Sequence, residues 1–553
     1  MRLIERRIGL LFAVFLCMLG LAGLRATWLG VVKADTLRKV AATQQTAKVV
    51  VPARRGAITD RNGIELAVSQ PATTVAVTPY LIKDPQRVAQ RIAKPLGVDE
   101  DTLLRQLTRR DTGFAYLAHQ VPAIRARRVQ RMKIEGLEFI PEARRTYPRD
   151  FLASQLIGSV GAEGSGLSGL EYSLDGQLHG SDGERRLTKD ALGQAIELRE
   201  TRRERPGEDV TLTLDEAIQD KAEQVLADVG ETWRPRGATA IVMDPRSGAL
   251  LALANWPRVN ANNPGEAPDY ARQNRAVATT YEPGSTFKAF TVAGALEEHE
   301  VTPSTKFGLA PTIRLYDRVI GESHVRGPVT LTTGQILQQS SNVGAVTIGL
   351  RLGARKFDQW VRRFGFGKPT GTDLPGEESG IVLPLAKYSG ASMGNLPIGQ
   401  GIAVTPMQMA VAYSAIANGG VLRPAHIVEK VNGKAMPPHQ GHRVITEATA
   451  SSLRKMLEGV LGPGGTASGA AIKGYELAGK TGTAQKPDPV TGGYSRDKYV
   501  ASFVGFAPAR RPKLLVTVMV DEPKGDIYGG LVAGPAFKRI TSFALSYLKI
   551  PPG

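Results

Sequence analysis

The chain has 553 residues, enough for three or four structural units at about 150 residues each, and its 42% hydrophobic and 22% charged content excludes a disordered or fibrous protein. Lys and Arg number 70 against 52 Asp and Glu, a net charge of +18 that suits anionic surroundings; the excess is spread along the chain and gives no nucleic-acid signature. A single cysteine, Cys17, rules out an internal disulfide and a Cys-rich zinc site, and the seven histidines lack H-x-x-x-H pairing, so neither a metal nor a cofactor is expected.

Arg2, Arg6 and Arg7 precede an apolar run from Ile8 to Leu24, extended past Arg25 to Val32 with Trp28 near its end. The pattern predicts a membrane-spanning helix over 8–32, with residues 1–7 in the cytoplasm and the rest of the chain outside. The rival is a cleaved signal peptide ending at Val32-Lys33-Ala34, but signal cores usually run about 7–15 residues, so a retained anchor is the better expectation. No second apolar run follows.

Residues 36–205 have the character of an extended mixed module. Val49-Val50-Val51 leads into R-G-A-I-T-D-R-N-G, whose Asn62-Gly63 predicts a hairpin turn. Helical patterns cover 86–109 and 122–134, and the stretch from Arg105 to Lys133 holds eight basic residues with only Asp111 opposing them. The plain expectation for that run is a solvated face; the sharper one is contact with an anionic polymer or a partner. A charged, apolar-poor segment from Arg199 to Asp209 has the composition expected of a linker.

Beyond the linker, V-T-L-T-L-D predicts a strand ending at Asp215, placed to cap the next helix. Ala238 to Asn255 predicts two strands about a turn at Asp244–Gly248; Tyr499–Phe506 and Leu514–Val520 predict two more, and Ala536–Leu548 a terminal helix. Strands at both ends with helices between them indicate an α+β domain whose sheet joins distant segments.

Three short motifs carry chemistry. In Ser285-Thr286-Phe287-Lys288, after the Pro283-Gly284 turn, a serine and a lysine three apart on a helix share a face, so a neutral amine can serve the hydroxyl. Ser452-Leu453-Arg454-Lys455 matches the same pattern without the turn, and is expected to be an ordinary helix face. Ser340-Ser341-Asn342 follows an amphipathic stretch from Leu331. Lys480-Thr481-Gly482-Thr483 puts a cation and hydroxyls beside a glycine that lets another backbone approach. Each motif alone is weak; their order, Ser-x-x-Lys, Ser-x-Asn, Lys-Thr-Gly, is the motif set of penicillin-binding proteins and serine β-lactamases.

With these motifs, and with R-G-A-I-T-D-R-N-G, G-L-E-Y, A-I-V-M-D-P-R-S-G-A-L-L-A-L-A-N-W-P and I-G-Q-G-I-A-V-T-P-M-Q, the chain resembles the class B penicillin-binding proteins along nearly its whole length, most of all the cell-division (FtsI-like) type. The resemblance implies a pedestal, dimerisation-like module over 36–205 and a transpeptidase domain over 206–553, with a central antiparallel sheet flanked by helices. It implies peptidoglycan D,D-transpeptidation: Ser285 the nucleophile, Lys288 the general base, Ser340 a proton relay and Asn342 a positioning group. Lys480, Thr481, Gly482 and Thr483 would face the substrate carboxylate, and the N–H groups of Ser285 and Thr483 would bind the oxyanion. Lys288 is expected to be neutral through burial and the nearby charge of Lys480. The implied ligands are stem peptides and β-lactams, and the implied partners a multi-pass, FtsW-like glycosyltransferase and other division proteins. An elongation-type enzyme and a catalytically silent β-lactam-binding scaffold are the alternatives; a β-lactamase is disfavoured because no E-x-x-L-N lies between the second and third motifs.

Overall fold

The computed structural model describes residues 2–33, 46–161, 163–189, 195–488 and 492–552. Its first element is the helix α1 (Arg2–Thr27), continued by a π-helical turn over Trp28–Val32. The segment Arg7–Val31, with a mean hydropathy of 2.2, is the one helix among the described residues long and apolar enough to cross a membrane. Arg25 does not interrupt it; Ala34 of the alternative cleavage site lies outside the described residues.

The chain folds into two compact units, and it passes between them more than once. Residues 1–54, 71–143 and 180–206 form the first. Here the strands Thr46–Val51, Gly183–Lys189 and Ala195–Arg202 make an antiparallel sheet. The helices α2 (Pro85–Leu96), α3 (Glu100–Leu107) and α4 (Ala123–Gln130) close a core of Val75, Ile92, Leu103, Leu107, Leu117 and Val129. Asp84 and Asp99 cap α2 and α3 by accepting hydrogen bonds from Arg87 and Thr102 N–H.

Residues 55–70, 144–179 and 207–553 form the second unit. The predicted turn is present: Gly63 adopts φ +85°, Asp60 N–H donates to Ile64 O, and Asp60 Oδ1 accepts from Asn62 and Ile64 N–H. Nearby, Glu171 of the G-L-E-Y stretch is fully buried between Arg55 of R-G-A-I-T-D-R-N-G, at 2.6 Å, and Arg145, at 2.7 Å. Two segments recognised separately in the sequence therefore meet in one buried ion cluster.

Asp215 caps α5 (Glu216–Trp233), as its position predicted. Five antiparallel strands follow: β1 (Gly237–Met243), β2 (Leu250–Trp256), β3 (Ala478–Pro487), β4 (Tyr494–Ala507) and β5 (Leu514–Asp521). Their spatial order is β2-β1-β5-β4-β3, so the two halves of the domain join at the β1–β5 pairing. Every residue of β1 and β5 is buried, because helices cover both faces: α5 and the terminal helix Gly534–Tyr547 pack on one, α8 (defined below) on the other. The α+β architecture expected from the order of elements is the one observed. Between β2 and β3 run the helices that carry the motifs: α6 (Lys288–Glu297), α7 (Asn342–Leu352) and α8 (Pro406–Ala417).

Candidate active site

Ser285 lies in a 3₁₀ turn, Gly284–Phe287, that runs directly into α6. Residues Lys288 to Leu296 are all buried; a helix apolar on every side belongs inside a domain. Its aromatic side chains hold the turn in place. Phe290 stacks edge-on to Phe287 at 5.4 Å and to Tyr413 of α8 at 5.2 Å, contacts worth about 0.5–1.5 kcal/mol each. Tyr413 also donates its hydroxyl to the Thr286 carbonyl at 2.6 Å.

The second motif is set by caps. A capping box between Thr332 and Gln335 starts a short helix, Thr333–Gln338; Ser341 then caps α7 by accepting from Gly344 N–H. The link between them is Ser340, at φ +58°, a left-handed conformation that costs a non-glycine residue about 1–3 kcal/mol. That geometry turns both its carbonyl and its hydroxyl toward Lys288. The Lys288 amine donates to Ser340 O at 2.6 Å, to Ser340 Oγ at 3.3 Å and to Asn342 Oδ1 at 2.7 Å. Ser285 Oγ is not among its hydrogen-bond acceptors in the described residues.

The third motif lies on β3, the edge strand, where Gly482 pairs with Ser502 of β4. A Cβ on Gly482 would stand 2.3 Å from Ser502 Oγ, 2.9 Å from Thr286 Cγ2 and 3.0 Å from Pro283 O. The missing side chain is therefore what lets the Ser285 turn sit against the strand, which is the close approach the glycine implied. Thr481 and Thr466 share a hydroxyl hydrogen bond of 2.8 Å, and Thr483 Oγ1 accepts from Gly529 N–H.

Both lysines are fully buried. Burial lowers the Lys288 pKa to about 7, against the carboxylate of Glu322, which raises it. Burial lowers Lys480 well below the ordinary lysine value, and the charge of Lys288 adds to that. Desolvation is the leading cause at both amines, and the two lysines repel each other.

Glu322 is the site residue that motif reasoning missed. Its carboxylate accepts from Ser341 Oγ and Asn342 N–H, each at 2.6 Å, and from Arg326 at 2.5 Å. Burial works against that charge, but the hydrogen bonds from Ser341, Arg326 and Asn342, with the charge of Lys288, outweigh it and hold the pKa below the usual range. Glu282 was missed too: Gly401 N–H and Tyr494 OH donate to its carboxylate beside the nucleophile turn. No spacing rule ties either glutamate to a motif: Glu282 stands three residues before Ser285, whereas Glu322 reaches Asn342 from 20 positions away and left no local signal.

Ser285, Ser340, Asn342, Thr481 and Thr483 line one cleft of about 810 Å³. Lys288 and Lys480 lie beneath its surface. Ser452 and Lys455 stand apart, on the helix Glu447–Glu458, with Lys455 exposed. Arranged this way, the cleft offers a hydroxyl, a near-neutral buried amine on its helix and a second buried amine beneath a row of hydroxyls. That set suits nucleophilic acyl transfer to a ligand bearing an anionic group.

Comparison with known families agrees with this chemistry. The profile of the penicillin binding protein transpeptidase domain matches residues 238–542, and that of the penicillin-binding protein dimerisation domain matches 50–212. The chain is 33% identical over 556 residues to the peptidoglycan D,D-transpeptidase FtsI of Escherichia coli, covering 99% of this chain and 93% of that one. It is 34% identical over 508 residues to a probable peptidoglycan D,D-transpeptidase, PenA, of Neisseria meningitidis, covering 91% and 86%. Among solved structures, penicillin binding protein 3 of Mycobacterium tuberculosis complexed with aztreonam superposes with a TM-score of 0.71 at 29% identity, over 91% of this chain and 98% of that one.

Proposed function

The chain belongs to the class B penicillin-binding proteins, and from that premise we propose how its own residues carry out the family reaction. It is a serine-type peptidoglycan D,D-transpeptidase and a β-lactam target. The observation that carries the assignment of roles is the Lys288 amine, buried, near-neutral and held between Ser340 and Asn342 on the helix that Ser285 precedes.

In the free amine form Lys288 takes the Ser285 proton as Oγ attacks the carbonyl between two terminal D-alanines. The N–H groups of Ser285 and Thr483 receive the oxyanion; one such donor is typically worth about a hundred- to a thousand-fold in rate. Ser340 passes the proton from Lys288 to the departing D-Ala amine, and Asn342 holds Lys288 and the substrate amide. Lys480, with Thr481, Gly482 and Thr483, binds the terminal carboxylate; a β-lactam presents the same carboxylate and acyl carbon. An acceptor amine then attacks the ester, the C–Oγ bond breaks, Oγ regains a proton, and the cross-link is made.

α1 anchors the protein in the cytoplasmic membrane, with Arg2, Arg6 and Arg7 of its first turns inside and residues 36–205, the pedestal, and 206–553, the transpeptidase domain, outside. Its relatives support a septal role, in which α1 pairs with a multi-pass glycosyltransferase and other division proteins.

Labelling the membrane-bound protein with fluorescent penicillin tests the central assignment. Stable label on wild type and Ser452→Ala, absent from Ser285→Ala, is expected. Label persisting on a folded Ser285→Ala variant would overturn it.

A further inference from the structure

The basic run of the first unit is not one uniform solvated face. Arg105 donates to Thr102 Oγ1 at 2.8 Å, and Arg109 pairs with Asp111 at 3.0 Å. Four other arginines are treated differently. Arg91 of α2, Arg127 and Arg128 of α4, and Arg131 just beyond it surround a groove of about 620 Å³, together with Ile124 and Met132. All four are exposed, and among the described residues none has an ion pair or a side-chain hydrogen bond. No carboxylate lines the groove.

Gathering four guanidinium groups without a counter-ion works against the fold through mutual repulsion. Each also keeps a planar fork of donors free, the geometry that matches a carboxylate two bonds at a time. The apolar residues narrow the choice of anion. Ile124 is 84% exposed at the groove, and Met132, half-buried, supplies an adaptable thioether beside it. A polyphosphate or a sugar acid has no use for them; a polypeptide with an apolar side chain set between carboxylates satisfies both features at once.

We propose that the groove between α2 and α4 is a docking surface for an acidic polypeptide segment of a partner protein, its carboxylates on Arg91, Arg127, Arg128 and Arg131 and an apolar side chain against Ile124 and Met132. The surface is separate from the Ser285 cleft and acts in assembly, not in acyl transfer.

The full-length protein in zwitterionic detergent micelles is titrated with a fluorescein-labelled peptide of leucines flanked by glutamates, and with its leucine-to-serine counterpart. The leucine peptide is expected to bind roughly tenfold more tightly, a difference of about 1.4 kcal/mol. Arg128→Glu combined with Arg131→Glu removes that binding, and Ile124→Ser removes the preference for leucine. Reversing two exposed arginines elsewhere, Arg355→Glu with Arg511→Glu, leaves both unchanged. Circular dichroism and a thermal melt at the wild-type level report that the first unit stays folded in each variant, and penicillin labelling of Ser285 is unchanged throughout. Equal binding of the two peptides, or equal loss from the distant reversal, overturns the proposal as plain polyanion attraction. So does binding to phosphatidylglycerol vesicles that falls with the groove arginines while peptide binding does not.

Discussion

Tyr413 donates its hydroxyl to the carbonyl of Thr286 at 2.6 Å, tying the middle of α8 to the residue beside the nucleophile. Both groups are fully buried. Tyr413→Phe keeps the ring contact with Phe290 but removes this buried hydrogen bond, at a cost of about 0.5–1.5 kcal/mol. The variant should melt earlier than wild type and acylate more slowly with penicillin, although the residue lies outside the cleft. A thermal melt and a labelling time course read the two effects.

Lys288 predicts the pH profile. Its ammonium form cannot accept the Ser285 proton, and burial sets its pKa at about 7, so acylation should climb as pH rises through about 7 and level off above it. Glu322 raises that pKa; Glu322→Gln should therefore move the midpoint to lower pH while also slowing the reaction, because Ser341 and Asn342 lose their carboxylate. Stability carries the opposite face of the same shift. Between about 7 and the ordinary lysine value of 10.5 the unfolded chain binds the proton and the folded one does not, so stability gains from this group as pH rises across that interval. Labelling rates and melting temperatures across a pH series test both signs.

Gly482→Ala should separate the turn from the strand. The added methyl meets Ser502 Oγ at 2.3 Å and the nucleophile turn at 2.9–3.0 Å, and overpacking of this kind costs about 1–3 kcal/mol. Penicillin acylation is expected to fall at least tenfold. Adding Ser502→Ala removes the nearest clash and should restore part of the rate; a double variant no better than the single would mean that Thr286 and Pro283 set the limit.

Glu171→Ala leaves Arg55 and Arg145 buried without their shared carboxylate, a loss of about 3–5 kcal/mol. Thermal melting should show it as the largest destabilisation among these variants. Ser285 lies in another part of the chain, so whatever fraction remains folded should label at the normal rate.

The elements and the chemistry were legible in the sequence to different degrees. The hairpin at Asn62-Gly63, the cap at Asp215 and the strands flanking both ends of the domain were readable because turn chemistry and apolar runs act locally. Ser285, Lys288, Ser340 and Asn342 were readable because the ordered motifs marked them, and the structure brings all four together. The electrostatic partners were not. Glu322 reaches Asn342 across 20 positions and Tyr413 reaches Thr286 across 127, through contacts that only the packed domain creates. Nor could spacing foretell that Ser340 adopts a left-handed backbone, since a serine there carries no such preference. The basic run shows the same limit: composition marked it, but only the packing of α2 beside α4 sets Arg91, from outside the run, next to Arg127, Arg128 and Arg131.

The strand order has a consequence for biogenesis. β1 touches β4 and β3 only by way of β5, so the strand bearing Lys480 has no seat on the sheet until residues 514–521 have arrived. A nascent chain that lacks those residues holds Ser285 and Lys288 with no opposing wall, and sheets built from such distant segments form late. Reactivity toward acyl donors should therefore switch on in one step once residues 514–521 have paired, leaving chains stalled or clipped before them chemically silent.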